Sequence, residues 1–334
     1  MTTALLAIDV GGSTSRATLV DHAGNCLGQG RNRGGNPGSN PPDLANAAIV
    51  AAVEAAIADA ALPGLTIELA LLAMAGPKFK AVQDQLETAL KALGLTGPVV
   101  FTGDLQAMVA SVTAATNGYC IVCGTGAGAV RLRDNELDAV IDAAGWLLGD
   151  AGSGYWLGHQ AARAVTADLE GRGEKTALTS AILGDMGIEL NDDRLPDGRP
   201  VPYRHFVDTI YAMRPIELAR FAPMVIANRT DPVAARLLAQ AEDYLVQDFS
   251  MVFDRELAGP VVLGGGIVAH LSGLQSRISE IMRGAGQVPD IRLVQDGSVG
   301  AVVLALRSAK VTVDEAMVQS VITSIAAHGL RARA

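Results

Sequence analysis

The sequence predicts an α/β protein built from two related halves that face each other across a cleft. The chain has 334 residues, which is longer than one hydrophobic core usually supports. Strand and helix patterns alternate along its first third, and near Asn117 the same order begins again. In both places an apolar strand ends in a glycine-rich turn and two further strands follow. The repeated pattern therefore predicts two domains of the same architecture.

The first half has the pattern strand, strand, strand, helix, strand, helix, strand, helix. Alternating and continuous apolar runs predict strands at Leu5–Val10, Ser15–Val20, Cys26–Arg31, Ile67–Ala73 and Pro98–Phe101. Apolar positions at helical spacing predict helices from Asp43 to about Leu62, from Lys78 to Leu93 and from Asp104 onward. We assign residues 1–115 to the first domain on this basis.

The second half opens with predicted strands at Tyr119–Cys123, Ala129–Arg133 and Leu137–Ile141. The middle, from Gly152 to about Asp254, is mainly helical, and strand patterns return at Val261–Leu263 and Ile291–Val294. Helices are predicted near Ser298 and over Val313–Ala327. We assign residues 116–312 to the second domain and expect helix 313–327 to pack back on the first.

The composition excludes several classes of protein. Hydrophobic residues make up 49% of the chain and charged residues 18%, which is enough apolar surface for two cores. The formal net charge of −9 argues against a surface that binds nucleic acid. No basic leader precedes the first strand, and the most apolar helical stretch, 47–62, contains Glu54 and Asp59. We therefore expect a cytoplasmic protein without a targeting segment or a membrane span.

Three cysteines, Cys26, Cys120 and Cys123, are too few for a disulfide framework and are typical of a reducing compartment. Cys120 and Cys123 have the spacing of a metal or redox motif. No second pair of Cys or His stands near them in the sequence, and the run Tyr119–Cys123 is apolar. We interpret both as buried strand cysteines.

Glycine-rich turns follow three of the predicted strands. They contain Gly11, Gly12, Ser13 and Thr14; Gly124, Thr125 and Gly126; and Gly264, Gly265 and Gly266. Adjacent glycines let backbone N–H groups approach an anion closely, although each turn alone is equally typical of a hairpin. None has the spacing of a dinucleotide-binding or P-loop motif. Together they predict a nucleotide site, with the first two turns at the phosphates and the third against the adenine ring.

Two carboxylates stand at strand ends beside these turns. Asp9 ends the first strand, where it can bind Mg²⁺ directly or through water. Asp104 stands where a strand ends and a helix begins. A carboxylate there can orient an attacking hydroxyl and accept its proton, and it can equally cap the helix. Both roles can apply to one residue.

A polyol pocket is predicted around Asp150. It lies in the glycine-rich run 145–158, which contains both tryptophans of the chain. The alternative is a capped helix start. Asn36 and Asn40, in the Gly- and Pro-rich loop 34–42, can donate and accept hydrogen bonds with sugar hydroxyls. Asn is also a routine loop former, so both readings stay open.

The run Gly145–Gly158 resembles the signature of the N-acetylglucosamine kinase branch of the BadF/BadG/BcrA/BcrD ATPase family, within the actin-like ATPase and sugar kinase superfamily. Further matches follow the family's order along nearly the whole chain: Asp9–Thr14, Ala75-Gly76, Gly103-Asp104, Gly124–Gly126, Gly171–Gly173, Thr176–Leu178 and Phe221–Pro223. The resemblance implies two actin-like (ribonuclease H-like) domains with ATP and Mg²⁺ in the cleft.

The resemblance also implies roles for the matched residues. Asp104 matches the base towards the sugar 6-hydroxyl, Asp9 the metal site, and the three glycine turns the two phosphate loops and the adenosine segment. The implied sugar contacts are Asn36, Asn40, Gly76, Gly145, Asp150 and Asp104 itself, with Asn36 preferred over Asn40. We expect a kinase for N-acetylglucosamine, with glucosamine and N-acetylmuramic acid as alternatives, and a homodimer.

Two positions depart from the family pattern. Ala151 stands where the family usually has Glu, and Gly103 where it usually has Asn before the base. Both lie beside the expected sugar contacts. The departures therefore bear on the substrate more than on the reaction.

Two other functions compete with the kinase. An ATP-driven activator of a reductase or dehydratase holds an iron–sulfur cluster between subunits with two well-separated cysteines, but no cysteine follows Cys123 here. A sugar sensor without turnover is the other alternative. No DNA-binding segment precedes Ala4, and the zinc-binding cysteine cluster of repressor-type sugar kinases is absent from the sequence.

Overall fold

The structure is a computed structural model that describes residues 2–12, 14–37, 41–74 and 80–331. By their contacts the residues form two compact units. Unit 1 comprises Met1–Cys120, Leu132–Leu137 and Arg292–Ala334, and unit 2 comprises Ile121–Arg131 and Asp138–Ile291.

The first sheet has five strands in the order β3-β2-β1-β4-β5. The strands are β1 (Thr2–Val10), β2 (Thr14–Val20), β3 (Cys26–Arg33), β4 (Leu65–Met74) and β5 (Val99–Thr102). The intervening helices are α1 (Pro42–Ala60), α2 (Lys80–Ala92) and α3 (Asp104–Ala110). β1, β2 and β3 pair antiparallel, whereas β4 pairs parallel with both β1 and β5. The predicted order of strands and helices in the first half is confirmed.

The second sheet also has five strands, in the order β10-β9-β6-β7-β8. The strands are β6 (Gly118–Cys123), β7 (Ala127–Arg133), β8 (Glu136–Asp142), β9 (Val261–Gly264) and β10 (Ile291–Val294). The helices are α4 (Gly154–Glu170), α5 (Ala177–Asp185), α6 (Val201–Ala212), α7 (Ala222–Ala227), α8 (Pro232–Val252), α9 (Leu274–Gly284), α10 (Ser298–Ser308) and α11 (Glu315–Arg331). Short 3₁₀ helices lie at Pro215–Phe221 and Val268–His270.

The two sheets share one strand order. In each, the first strand of the sheet lies in the centre, the second and third follow on one side, and the fourth and fifth lie on the other. A shared order of this kind is what two halves with the same architecture require. The predicted α/β class with a repeated strand pattern is confirmed.

The central strand β1 is covered on both faces. Leu6 and Ile8 pack into the core beneath α1, whereas Leu5 and Ala7 pack into the core formed with α10 and α11. A strand buried on both faces is continuously apolar rather than alternating. This explains the apolar run that precedes Asp9.

The strand β3 lies unusually close to α1. A Cβ atom at Gly30 would lie 2.0 Å from the carbonyl oxygen of Ala52, and one at Gly28 would lie 2.3 Å from that of Ala56. The helix can approach the strand this closely because glycine faces alanine along the contact. Small residues therefore do much of the packing in this unit, in keeping with an aromatic content of only 4%.

Helix α10 belongs to unit 1 by its contacts. It packs against β1, β4 and α3, and α11 packs against α10 and β3. Residues 292–312, which the sequence placed in the second domain, therefore group with the first unit in the structure.

The cysteines of β6 are buried free thiols. Cys120 and Cys123 are each 0% exposed, which confirms their interpretation as buried strand residues. Within the described ranges, no helix combines the length and the apolar character needed to cross a membrane.

Candidate active site

The first glycine turn joins β1 to β2 and is a true hairpin turn. The N–H of Gly11 donates to the carbonyl oxygen of Thr14 over 2.9 Å, and the N–H of Asn36 donates to the carbonyl oxygen of Gly11 over 3.3 Å. Asn36 is buried as a result, at 8% exposure. The structure thus places Asn36 directly beside the first glycine turn. Gly12 lies in the same turn, and Ser13 lies outside the described residues.

Asp9 is a buried carboxylate in an electronegative environment. Only 7% of the residue is exposed. The Nη1 atom of Arg16 lies 3.4 Å from Asp9 Oδ2, and the N–H of Gly297 donates a hydrogen bond to the carboxylate. Burial, followed by the charges of Asp296 and Asp104, raises the pKa of Asp9 from 3.8 to about 6, against the lowering effect of Arg16. Negative charge therefore exceeds positive charge around this carboxylate.

The segment that carries Asp296 and Gly297 is anchored to α3. The hydroxyl of Ser111 donates to the carbonyl oxygen of Asp296 over 3.1 Å and accepts from the N–H of Gly300 over 2.8 Å. Arg16 reaches the same segment, with its Nη2 atom 3.6 Å from Asp296 Oδ2. Arg16 therefore lies between two carboxylates that it only partly neutralises.

Asp104 is the first residue of α3 and is not its cap. Gly103 is the N-cap residue, and its N–H donates to Oε1 of Gln106 over 2.9 Å. The carboxylate of Asp104 accepts the N–H of Leu105, over 2.9 Å, and its own backbone N–H. Burial raises the pKa of Asp104, and the Leu105 N–H opposes that rise. Because Gln106 provides the capping interaction, Asp104 is available for another role.

The residues around Asp9 fit a magnesium ion that also binds phosphate and water. Nowhere in the described part of the chain do three His, Cys, Asp or Glu side chains converge tightly enough to hold a metal by themselves. Mg²⁺ usually keeps several waters and takes one or two carboxylates plus substrate phosphates. A single buried carboxylate with neighbouring negative charge and a raised pKa suits this mode of binding.

In unit 2, the second glycine turn is held by the start of α4. The N–H of Gly124 donates to the carbonyl oxygen of Gly126 over 2.9 Å. The N–H groups of Gly154 and Tyr155 donate to the carbonyl oxygens of Gly124 and Thr125, over 2.7 and 3.1 Å. Hydrogen bonds within the turn and from the start of α4 therefore both fix its conformation.

Asp150 lies against this second turn. It is 7% exposed, and its carboxylate accepts hydrogen bonds from the N–H of Ala127, over 3.3 Å, and of Gly145. A Cβ atom at Gly126 would lie 2.9 Å from Asp150 Oδ2, so only glycine fits there. Burial and the charge of Asp142 raise the pKa of Asp150, and these two N–H groups lower it. The predicted sugar contacts Gly145 and Asp150 are thus brought together in the structure.

The third glycine turn packs on the beginning of the second. Gly265 has a φ of +97°, and a Cβ atom there would lie 2.3 Å from the carbonyl oxygen of Cys123. The N–H of Ile267 donates to the same oxygen over 3.0 Å. Gly264 ends β9, and apart from its chain neighbours no atom of the described residues lies within 4 Å of a Cβ placed at Gly266. Two of the three predicted nucleotide turns are therefore in contact within unit 2.

The structure describes most of the predicted site and adds to it. Asn40 and Gly76, like Ser13, lie outside the described residues. Residues that sequence reasoning missed are Arg16, Gln106, Asp142, Asp296 and Gly297. A signal existed for Arg16, because the Gly11–Gly12 hairpin sets the register that pairs Asp9 with Arg16. No local pattern marked the other four.

Comparison with known proteins establishes the family. The model of the BadF/BadG/BcrA/BcrD ATPase family matches residues 6–305. The chain belongs to this family. The family predicted from the motifs is therefore confirmed, and membership implies use of ATP.

Relatives of this ATPase family member include proteins named as sugar kinases. An N-acetyl-D-glucosamine kinase of Dictyostelium discoideum is 26% identical over 329 residues, covering 91% of this chain and 98% of that protein. An N-acetylmuramic acid/N-acetylglucosamine kinase of Clostridium acetobutylicum is 24% identical over 226 residues, covering 66% and 71%.

A solved structure has the same fold as this family member. A Chromobacterium violaceum protein, described as a candidate N-acetylglucosamine kinase, matches with a TM-score of 0.70 at 23% identity and covers 91% of this chain and 98% of that one. The predicted actin-like α/β fold is thereby confirmed.

Proposed function

We propose that this protein is an ATP-dependent kinase that phosphorylates the 6-hydroxyl of an amino sugar, with N-acetylglucosamine as the favoured substrate. Glucosamine and N-acetylmuramic acid are the alternatives. Family membership and the names of two relatives support a sugar kinase. The environment of Asp104 supports the role assigned to it, because this partly buried carboxylate has a raised pKa and acts electrostatically on Asp9.

Asp104 is the proposed catalytic base. A carboxylate whose pKa is raised by burial holds a proton more readily than an ordinary aspartate. As the sugar O6 forms its bond to the γ-phosphorus of ATP, its proton passes to Asp104. The bond from that phosphorus to the bridging oxygen breaks, and ADP leaves with the electron pair. Asp104 also holds the hydroxyl in line for this attack.

Asp9 is the proposed magnesium ligand, beside the nucleotide phosphates. Mg²⁺ would neutralise charge on the phosphates when bound. Arg16 and the N–H of Gly297 fix the Asp9 carboxylate that would hold the ion. The proposed nucleotide contacts are Gly11–Thr14, Gly124–Gly126 and Gly264–Gly266. Since the N–H groups of Gly11 and Gly124 close their own turns, other N–H groups of these turns would face the phosphates.

The sugar contacts proposed within the described residues are Asn36, Gly145, Asp150 and Asp104. Asn36 and Asp150 are buried polar residues placed against the first and second glycine turns, respectively. Buried polar groups of this kind discriminate strongly between hydroxyl patterns, because an analogue that lacks a partner leaves them unsatisfied. We also propose a cytoplasmic location, which suits three free thiols, and a homodimer.

A coupled ADP-release assay across hexoses and amino sugars tests this function. We expect one amino sugar to raise turnover well above background hydrolysis. Asp104→Asn should lose this stimulation by about 10³-fold or more, while its affinity for an ATP analogue stays unchanged. Asp43→Asn, an exposed aspartate of α1, is the matched control and should behave as wild type. If no sugar on the panel stimulates ADP release, the kinase assignment fails.

A further inference from the structure

The segment from Asp142 to Gly152 has a strained backbone. Asp142, Ala143 and Asp150 have φ angles of 58°, 55° and 57°, although none of them is glycine. The left-handed region is unfavourable for such residues and persists only where other contacts fix it. Three such residues within one short connection indicate that specific interactions hold this segment in place.

The side chain of Asp142 supplies those interactions. Its Oδ1 atom accepts the N–H of Asp150 over 2.7 Å, and its Oδ2 atom accepts the N–H of Ala151 over 2.8 Å. Hydrogen bonds from N–H groups to an ionised carboxylate are about twice as strong as neutral ones. One side chain at the end of β8 thus fixes two consecutive peptide groups at the far end of the connection.

Two neighbouring residues, Gly149 and Asp248, are affected by the Asp142 carboxylate. A Cβ atom at Gly149 would lie 2.1 Å from Asp142 Oδ1, so any larger residue there would displace the carboxylate. Asp248 of α8 is buried, and its Oδ2 atom has no hydrogen-bond partner among the described residues. Burial and the charge of Asp142 raise the pKa of Asp248 to about 6. Asp142 therefore lies close enough to Asp248 to act electrostatically on a buried carboxylate of α8.

The peptide that Asp142 holds belongs to a residue of the proposed site. The carboxylate of Asp150 lies against Gly126 of the second glycine turn and accepts the N–H of Ala127, the residue that follows the turn. That turn is fixed independently, because Gly154 and Tyr155 of α4 donate to its carbonyl oxygens. Loss of the Asp142 contacts would therefore move Asp150 while the turn itself keeps its conformation.

We propose that Asp142 is a positioning residue of the active site, which orients the Asp150 carboxylate by holding the peptide groups of Asp150 and Ala151. The inference rests on the proposed function, in which Asp150 contacts the sugar. Asp142 itself touches neither the sugar nor the nucleotide. Its effect should appear in sugar recognition and should pass through Asp150.

Asp142→Asn is the decisive variant. Asn keeps the size of the side chain, but its NH₂ group cannot accept an N–H, so one of the two hydrogen bonds is lost. We expect the KM for the amino sugar to rise about tenfold and the KM for ATP to change less than about twofold. Asp138→Asn is the matched control, since Asp138 lies on the same strand and pairs with Arg131 over 2.6 Å; it should change neither KM.

A double-mutant cycle separates positioning from general structural support. If Asp142 acts through Asp150, Asp142→Asn should add less than about twofold to the sugar KM once Asp150→Asn is present. Amide hydrogen exchange supplies a readout that needs no turnover. At least one of the N–H groups of residues 150 and 151 should lose protection in Asp142→Asn, and both should keep it in Asp138→Asn. Gly149→Ala displaces the same carboxylate and should also raise the KM for the sugar. This second variant tests the proposal if Asp142→Asn does not fold.

The outcomes distinguish the two proposals. A wild-type enzyme that no sugar stimulates refutes the proposed function, and the positioning role falls with it. A stimulated wild-type enzyme whose exchange at 150 and 151 is unchanged in Asp142→Asn refutes the inference alone. Fully additive effects of Asp142→Asn and Asp150→Asn on the sugar KM also refute it alone.

Discussion

The N–H of Gly297 donates a hydrogen bond to the carboxylate of Asp9, which joins the start of α10 to the end of β1. A Cβ atom at position 297 would lie 2.9 Å from Asp9 Oδ1 and 3.3 Å from the Cβ of Ala107. Glycine is therefore the residue that lets the segment approach the proposed magnesium ligand. This contact has a direct experimental consequence.

Gly297→Ala should impair the use of the metal. The added methyl group pushes the segment away from Asp9 and lengthens the hydrogen bond that stabilises its ionised form. We expect about a tenfold fall in kcat/KM, equivalent to about 1.4 kcal/mol, and a higher Mg²⁺ concentration for half-maximal rate. Gly284→Ala is the control, because no atom lies within 4 Å of a Cβ there. Unchanged Mg²⁺ dependence in Gly297→Ala would contradict this account of Asp9.

Asp9→Asn should stabilise the metal-free protein at neutral pH. The pKa of Asp9 is about 6 in the folded chain against an ordinary value of 3.8. The folded state thus binds more protons between these values, and stability falls as pH rises from about 4 to above 6, by up to about 3 kcal/mol. Asn removes this slope. Thermal unfolding without metal should give a higher Tm for the variant near pH 8 and an equal Tm near pH 4.

Magnesium should stabilise the wild type more than Asp9→Asn. Added Mg²⁺ with an ATP analogue stabilises a protein that binds it in the folded state only. We expect the wild type to gain more in Tm than Asp9→Asn under these conditions. Asp43→Asn, on the exposed face of α1, should follow the wild type throughout. If Asp9→Asn is less stable than the wild type near pH 8 without metal, neighbouring groups stabilise the charge of Asp9 in the folded protein. That result would contradict the raised pKa of Asp9.

Gly265→Ala and Gly266→Ala should differ sharply in stability. At Gly265 a methyl group meets the carbonyl oxygen of Cys123 at 2.3 Å, and the φ of +97° disfavours any side chain. We expect a loss of at least about 2 kcal/mol in the free energy of unfolding, measured with urea. At Gly266 the space is open, so stability should stay within about 0.5 kcal/mol of wild type. Any loss of affinity for an ATP analogue in Gly266→Ala then reports contact with the nucleotide.

Much of the unit 1 site follows from sequence, because it depends on local hairpin geometry. The apolar run before Asp9 predicts a strand buried on both faces, and the Gly11–Gly12 turn fixes the register that places Arg16 beside Asp9. Asp296 and Gly297 do not follow in the same way. They lie beside Asp9 because α10 packs against β1 and α3. No local sequence pattern predicts this tertiary contact.

For unit 2, the sequence marked residues of the candidate site but did not predict the contacts that hold them in place. The glycine- and tryptophan-rich run marked Gly145 and Asp150, and the structure brings them together. Asp142 directly follows the strand predicted at Leu137–Ile141, and the sequence assigned it no role. Its left-handed backbone and its two bonds to distant N–H groups arise only when the connection folds back on itself, so neither propensity nor spacing predicts them.

The placement of α10 and α11 sets the order in which this chain can fold during synthesis. The face of the first sheet that carries Leu5, Ala7 and Leu71 is covered by residues of these last two helices. That apolar face has no native cover until residues 298–331 have been synthesised. One face of the first sheet is thus exposed in the nascent chain while unit 2 can already fold.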